Sequence, residues 1–108
     1  MLEDDFRDLM KTRKAIHPED SYGYDRLWEK ETNLLSKDIN ATIVFLDNEC
    51  TAEEFSWISE VFEDIADKTR SSDFINCLYR VAKKFPEVCR EHNIYDFIES
   101  SESLLDIS

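Results

Sequence analysis

The amino-acid sequence predicts an all-α protein, and three observations support that class. One glycine and two prolines in 108 residues are too few turn-forming residues for a sheet of many short strands. Apolar side chains recur at spacings of three and four in several segments, as on helices with one buried face. Hydrophobic residues make up 42% of the chain and include seven Phe, which suffices for one core. We therefore expect a single helical domain over residues 1–108, a compact bundle or short array of five to seven antiparallel helices.

The first third of the chain predicts two helices separated by a loop. The first helix covers residues 3–15, because Pro18 disfavours helical geometry at the residue before it. The loop extends over residues 17–24 and contains the single glycine. The second helix covers residues 25–35. Its residues at helical spacing are Leu27, Trp28, Glu31, Leu34 and Leu35.

Residues 41–46, with the sequence ATIVFL, fit two interpretations. They are rich in β-branched and aromatic residues, so taken alone they are typical of a buried strand. A cap at Ser36 and the inward spacing of Ile39 and Ile43 favour a helix instead. We favour the helix, because no second segment offers a strand with which this one would pair.

Residues 52 to about 69 predict the central helix, because a capping box precedes them. Thr51 is placed to accept a hydrogen bond from the third backbone N–H, and the Glu54 side chain from the N–H of Thr51. The predicted buried face comprises Phe55, Ile58, Phe62, Ile65, Ala66 and Thr69. The opposite stripe comprises Glu53, Ser56, Glu60, Glu63, Asp64 and Asp67. Trp57 and Val61 lie at the margin between the two.

The C-terminal third predicts three further helices. A serine, Ser71 or Ser72, caps a helix over residues 73–85. Pro86 suits the first position of a short helix that follows. Asn93 is expected to cap the last helix.

Charge is distributed unevenly along the chain. The net charge is −12, and residues 38–67 contain nine acidic residues and no Lys or Arg. Residues 68–90 contain six bases and two acids, which we expect to pair with neighbouring acidic helices. An acidic protein is disfavoured from binding nucleic acid or an anionic membrane directly. The same charge favours fast capture of a basic protein.

Cysteine usage indicates a reducing compartment. Cys50, Cys77 and Cys89 form no C-x-x-C pair, and an odd number does not suit a disulfide framework. The N-terminus carries no apolar signal segment, and the longest aliphatic-aromatic run is far shorter than a membrane span. We therefore expect a cytoplasmic protein.

The sequence carries no motif for catalysis. It lacks G-x-S-x-G and any glycine-rich phosphate loop. Cys77, Cys89 and His92 are metal ligands by residue type, but zinc needs a fourth ligand and closely paired cysteines. We expect the two cysteines to be buried in the core instead. The expectation is a protein that is not an enzyme and has no cofactor and no metal site.

The acidic stripe of the central helix is the candidate binding surface. A solvated helix usually mixes charges of both signs, whereas residues 38–67 contain no Lys or Arg to offset their carboxylates. A tryptophan beside carboxylates is typical of an anchor against an Arg- and Lys-rich surface. Two alternatives stay open: a merely hydrated stripe, and a Trp57 that belongs to a wide apolar arc. The predicted partner-binding residues are Glu53, Trp57, Glu60, Val61, Asp64 and Asp67.

Residues 51–60 fit the pattern T-x-E-E-F-x-x-I-x-E, and here the chain resembles small acidic helical immunity proteins. These bacterial antidotes are encoded beside contact-dependent growth inhibition toxins and related polymorphic toxins. The resemblance covers about a fifth of the chain. The short tyrosine-bearing helix of colicin-type immunity proteins has no counterpart here, so their detailed fold is not carried over. The resemblance implies stoichiometric binding to a cognate basic toxin, often a nuclease.

Two other functions share the same charge. An acidic nucleic-acid mimic would bind several DNA- or RNA-binding proteins in competition with nucleic acid. An adaptor would use its charge for solubility alone. The sequence leaves the oligomeric state and the identity of the toxin open.

Overall fold

A computed structural model of the chain describes residues 2–105, which form eight helices and no strand. In chain order the helices are α1 (Leu2–Ala15), α2 (Ser21–Lys37), α3 (Ile39–Asn48), α4 (Ala52–Ser59), α5 (Phe62–Thr69), α6 (Ser72–Lys84), α7 (Pro86–His92) and α8 (Ile94–Ser103). The all-α prediction is confirmed, and residues 41–46 are helical. The expected number of five to seven helices is wrong by one. Met1 and residues 106–108, the two ends of the predicted domain, lie outside the described residues.

The extra helix arises because the predicted central helix breaks at Glu60 and Val61. The backbone N–H of Val61 bonds three residues back, to the carbonyl of Ile58 at 2.9 Å, which tightens the end of α4. Within α4 the Ser59 hydroxyl donates to the Ser56 carbonyl, a side-chain bond that competes with regular helix geometry. Val61 leaves helical dihedrals at φ −121° and ψ 12°, and its side chain becomes fully buried. No glycine or proline lies at this break. The spacing of apolar residues in the sequence therefore predicted one continuous helix across it.

The start of α4 follows the predicted capping box. The Thr51 hydroxyl accepts from the backbone N–H of Glu54 at 3.1 Å, and the Glu54 carboxylate accepts from the N–H of Thr51 at 2.9 Å. Arg7 of α1 also donates to the Glu54 carboxylate, with Nε 3.0 Å from Oε2. Burial alone raises the pKa of Glu54, but these bonds outweigh it and lower the pKa overall. A charged cap therefore ties α4 to α1.

Two helices begin elsewhere than predicted. α2 begins at Ser21 rather than residue 25, because the Asp20 side chain caps it by accepting from the N–H of Gly23 at 2.8 Å. A Cβ at position 23 would lie 2.6 Å from an Asp20 carboxylate oxygen, so any larger residue there would displace this capping carboxylate. α3 is capped by Asp38, which accepts from the N–H of Ala41, and not by Ser36.

Asn93 does not cap α8 through its side chain. Its backbone is left-handed, at φ 53° and ψ 41°, and it ends α7 by donating its N–H to the carbonyl of Cys89. Asparagine is one of the few residues other than glycine that adopts this geometry readily. The prediction that Asn93 caps the last helix with its side chain is therefore wrong. The predicted helix boundary at this residue is correct.

The core joins helices that are distant in sequence. α3 packs against α6, and α5 packs against both α2 and α8. At the centre, the ring of Phe55 lies 5.4 Å from that of Phe62 and 6.1 Å from that of Phe85, and Phe62 lies 6.4 Å from Phe74. Burying one such side chain contributes about 1.5–3 kcal/mol. This packing fixes α4 and α5 against α6, and α5 also contacts α2.

No helix within residues 2–105 combines the length and the apolar character needed to cross a membrane.

Candidate functional site

Trp57 lies on α4 with its ring partly buried at the edge of α1. The guanidinium carbon of Arg13 and the ammonium nitrogen of Lys14 each lie 5.7 Å from the ring centroid. These distances permit cation–π attraction. The ring packs against the core and also lines an open groove, so it is not sealed in the interior.

Arg13 binds Glu60 between α1 and the end of α4. Its two terminal nitrogens donate to the two carboxylate oxygens, Nη1 to Oε1 at 2.5 Å and Nη2 to Oε2 at 3.1 Å. Trp28 of α2 donates its indole N–H to Oε1 at 3.2 Å. The same guanidinium lies 5.7 Å from the ring centroid of Tyr24. A bidentate carboxylate flanked by aromatic rings is an arrangement that suits arginine better than lysine.

Three adjoining depressions run along this side of the molecule. The first, about 510 Å³, lies between α4 and α7 and includes Trp57 and His92. The second, about 410 Å³, shares Arg13 and Glu60 with the first. The third, about 380 Å³, lies between α2 and α5 and shares Asp25 and Trp28 with the second. We call the three together the acidic trough.

Negative charge dominates the acidic trough. Eight carboxylates line it, namely Asp25, Glu29, Glu53, Glu60, Asp64, Asp67, Glu87 and Glu91. The cationic side chains that line it are Arg13 and Lys68. Arg13 is held by Glu60, and Lys68 donates to the Asn33 amide oxygen. The trough therefore presents a large excess of carboxylates over cations.

α2 buries an acidic side chain near Arg13 and Glu60, and this side chain lines none of the three depressions. Glu31 is 0% exposed, and neither carboxylate oxygen has a hydrogen-bond partner among the described residues. Burial raises the pKa of the Glu31 carboxyl to about 8; the neighbouring Glu60 carboxylate also raises it, and Arg13 lowers it. At neutral pH this side chain is mostly protonated.

The predicted partner-binding residues are divided by the break between α4 and α5. Glu53, Trp57 and Glu60 line the first depression, and Asp64 and Asp67 line the third. Val61 lies in the core and offers no surface to a partner, so its inclusion was wrong. Val61 lies at the margin of the buried face if the helix is continuous. The break between α4 and α5 places its side chain in the core instead.

Some predicted carboxylates are neutralised within the chain. Glu60 is paired with Arg13, and Asp67 accepts from Arg70 at 3.0 Å. Only the second pair uses the basic segment of residues 68–90. The expectation that this segment pairs with acidic neighbours is confirmed for Arg70 and also for Arg80, which binds Asp47 at 2.9 Å.

The cysteines supply no reactive thiolate near the trough. Cys77 and Cys89 are buried, as predicted. Burial raises the pKa values of Cys50 and Cys77 to about 12, which keeps both thiols protonated. Within residues 2–105 no three His, Cys, Asp or Glu side chains are placed to share a metal ion. What the trough offers is negative charge and aromatic surface.

Sequence reasoning missed the contributions of α1, α2 and α7 to this surface. Arg13, Tyr24, Trp28 and Glu87 reach it only through tertiary packing, which local periodicity does not reveal. Glu31 did leave a signal, since it occupies an inward position among leucines on α2. A carboxyl group at such a position indicates a special role or a paired charge.

No protein-family model, no curated protein sequence and no solved structure matches this chain.

Proposed function

We propose that this protein is an immunity protein, an antidote that binds and neutralises a cognate basic toxin through the acidic trough. A nuclease is the toxin class that fits best, because a protein that binds nucleic acid carries the basic surface that the trough complements. The observation that carries the proposal is the excess of carboxylates around two tryptophans on one side of the molecule.

The charge of the trough supports fast association. Unpaired carboxylates on a rigid surface repel one another in the free protein and attract a cationic partner over several ångströms. Such steering raises association rate constants to about 10⁸ M⁻¹s⁻¹ or more at low salt. A shape-selective centre is also needed for tight binding, and the partly exposed Trp57 ring is the best anchor available.

The two charged ends of the trough belong to different helices, which favours a partner with an extended basic surface. Glu53 and Glu91 flank the Trp57 end, whereas Asp64 and Asp67 lie beyond Trp28. We propose that the toxin spans both ends with Arg and Lys side chains. We further propose a cytoplasmic location, which the three free cysteines support.

The experiment uses the small basic protein or toxin domain encoded by the adjacent gene. The purified pair is mixed, and association and dissociation rates are followed by the quenching of tryptophan fluorescence. We expect a one-to-one complex whose association slows as salt rises. Toxicity of the basic protein in a host cell should be suppressed when this chain is co-expressed.

Two variants separate steering from anchoring. Reversing Glu53→Lys together with Asp64→Lys should slow association at least about tenfold, while Trp57→Ala should mainly speed dissociation. Glu99→Lys on α8 is the matched control, because Glu99 is exposed and does not line the trough. An unchanged association rate in the double variant, or no binding to the neighbouring gene product, contradicts the proposal. Equal binding to unrelated DNA-binding proteins, lost on addition of DNA, would establish the nucleic-acid mimic instead.

A further inference from the structure

Five side chains from three helices form a connected set of contacts in the middle of the acidic trough. Arg13 of α1 donates to Glu60 at the end of α4 and lies 5.7 Å from the ring centroid of Tyr24 on α2. The ring of Tyr24 lies 5.9 Å from the ring of Trp28, and the indole N–H of Trp28 donates to Glu60. Trp57 of α4 joins through Arg13, whose guanidinium lies 5.7 Å from its ring centroid. We call these five side chains the Arg13 cluster.

The Arg13 cluster lies on the surface that we propose for partner binding. Arg13 and Glu60 line both the first and the second depression. Trp57 lines the first depression, and Tyr24 and Trp28 line the second. The side chain of Arg13 is 18% exposed, and that of Glu60 is 31% exposed. A partner that fills the trough therefore contacts the cluster directly.

Arg13 is electrostatically unfavourable for the capture of a basic protein. It repels the cations of such a partner and pairs with Glu60, one of the eight carboxylates of the trough. If charge alone determined binding, Arg13 would weaken the surface in the same way as Lys68, the other cation of its lining. The contacts of these two cations differ, however. Lys68 donates to the Asn33 amide oxygen, whereas Arg13 lies against two aromatic rings and binds a carboxylate.

The contacts of Arg13 fix the aromatic side chains of two helices relative to each other. Tyr24 and Trp28 belong to α2, and Trp57 belongs to α4. The guanidinium lies near rings of both helices, and it also holds the carboxylate to which Trp28 donates. A planar guanidinium donates two parallel hydrogen bonds while it lies over aromatic rings, which a lysine ammonium does not do. The rings of α2 and α4 thus share Arg13 as a contact.

Building on the proposed function, we propose that Arg13 is a positioning residue, which holds Trp28 and Trp57 in the arrangement that a basic partner binds. Side chains that are already fixed in the free protein lose less conformational freedom on binding, and this gain in affinity appears mainly as slower dissociation. Loss of the Arg13 side chain therefore weakens binding, although it leaves the acidic trough more negative.

The test is calorimetry with a hexa-arginine peptide at pH 7.0 and low salt. Arg13→Gln should weaken binding about tenfold, because the rings of α2 and α4 lose their shared contact. Lys68→Gln is the matched comparison, since it removes one positive charge from the same trough and breaks a contact with Asn33 rather than with a ring. This second variant should strengthen binding about twofold through charge alone.

Two further variants separate geometry from charge. Arg13→Lys keeps the positive charge but cannot bind both oxygens of Glu60, so it should weaken binding nearly as much as Arg13→Gln. Lys11→Gln removes a positive charge from the exposed side of α1, where Lys11 pairs with Asp8 outside the trough, and should leave the affinity unchanged. Circular dichroism checks that both Arg13 variants fold, and Arg13→Lys alone decides if Arg13→Gln does not.

Nitrogen-15 relaxation of the two indole N–H groups supplies a readout in the free protein, without any peptide. The order parameters of the Trp28 and Trp57 indoles should fall in both Arg13 variants, because the rings move more on the picosecond-to-nanosecond timescale. They should keep their native values in Lys68→Gln. A contribution of Arg13 to folding stability alone would leave these order parameters unchanged in the folded variants.

Tighter binding of hexa-arginine to Arg13→Gln, as expected for Lys68→Gln, would overturn the positioning role and show that Arg13 only offsets charge. Native affinity in Arg13→Lys, or unchanged indole order parameters, would overturn it too. If the peptide binds the native chain and Glu53→Lys with Asp64→Lys weakens it, the acidic trough stands as a binding surface and only the role of Arg13 is lost. If the peptide does not bind the native chain at all, both proposals fail together.

Discussion

The acidic trough and the contact between α3 and α6 both contain carboxylates. The two regions differ in whether those carboxylates are paired with cations of the same chain. In the α3–α6 contact, Asp47 accepts two hydrogen bonds from Arg80, and Lys84 donates to its backbone carbonyl. The Arg80 bond holds the pKa of Asp47 below its ordinary value. Within residues 2–105, six of the eight trough carboxylates form no ion pair, and Glu31 of α2 is buried without a hydrogen-bond partner.

The carboxylate at the α3–α6 contact is paired with a cation of the same chain, whereas most trough carboxylates are not. The cations of residues 68–90 serve α6 and its neighbours, and few of them reach the trough. Two cations line the trough: Arg13 of α1, which is engaged by Glu60, and Lys68 of α5, which donates to Asn33. The trough thus has eight carboxylates and two cations along its lining.

Glu31→Gln should change the free energy of unfolding more than any other substitution considered for these two regions. Raising a carboxyl pKa from 4.5 to about 8 in the folded state makes the folded chain bind its proton more tightly than the unfolded chain. The stabilisation is fully present below pH 4.5 and is lost progressively as pH rises to 8, by about 5 kcal/mol in total. Glutamine cannot ionise, so the variant should gain in stability over the native chain between pH 5 and 9. Urea unfolding at a series of pH values measures this difference.

The pH dependence itself tests the assignment. Subtracting the two unfolding curves cancels the titration of all other groups. A constant difference between pH 5 and 9 would show that the Glu31 carboxyl group is already satisfied in the folded protein, and the contrast between the two regions would disappear.

A smaller effect of opposite sign is expected from Asp47→Asn. Because the folded pKa of Asp47 is lowered, its contribution to stability is present above the ordinary pKa of 3.8 and is lost as pH falls below it. Removing the charge at pH 7 should cost about 1 kcal/mol, since the pair is partly exposed. Urea unfolding at pH 7 and pH 3 checks it: the cost should be smaller at the lower pH.

The smallest effect on stability is expected from Glu53→Lys. Its carboxylate is exposed and forms no ion pair within residues 2–105, so the free energy of unfolding should change by less than about 0.5 kcal/mol. Binding of a basic partner should nevertheless weaken measurably. A substitution in the trough should therefore change binding and leave stability unchanged. A substitution in the α3–α6 contact should change stability and leave binding unchanged. Glu53→Lys that unfolds the protein would erase that distinction.

Much of the fold was accessible from local sequence, because capping and periodicity act over a few residues. The Thr51–Glu54 capping box, the Ser71 cap of α6 and the helical form of residues 41–46 all follow from such signals. The break at Val61 did not, because the burial of Val61 against distant helices determines it rather than a local breaker. Asn93 was placed at the correct boundary with the wrong role, because asparagine is common both as a side-chain N-cap and as a left-handed residue after a helix.

The candidate site was accessible only in part. Glu53, Trp57 and Glu60 could be grouped from the helical pattern of one segment. Residues of α1, α2 and α7 join these three only through tertiary packing. The pairing of Glu60 with Arg13 depends on the same packing. A glutamate among leucines on α2 was visible in the sequence, but only the coordinates show that it lacks a partner.

The most direct test of the central claim follows the two tryptophan indole N–H signals by nitrogen-15 NMR while hexa-arginine is added. Trp28 and Trp57 are the chain's two tryptophans, and both line the acidic trough. We predict that both signals shift together along one saturable curve, while the backbone signals of Asp47 and Arg80 stay in place. Shifts confined to α8 or spread evenly over every carboxylate-bearing helix, with both indole signals unmoved, would contradict the assignment of the trough as the binding surface.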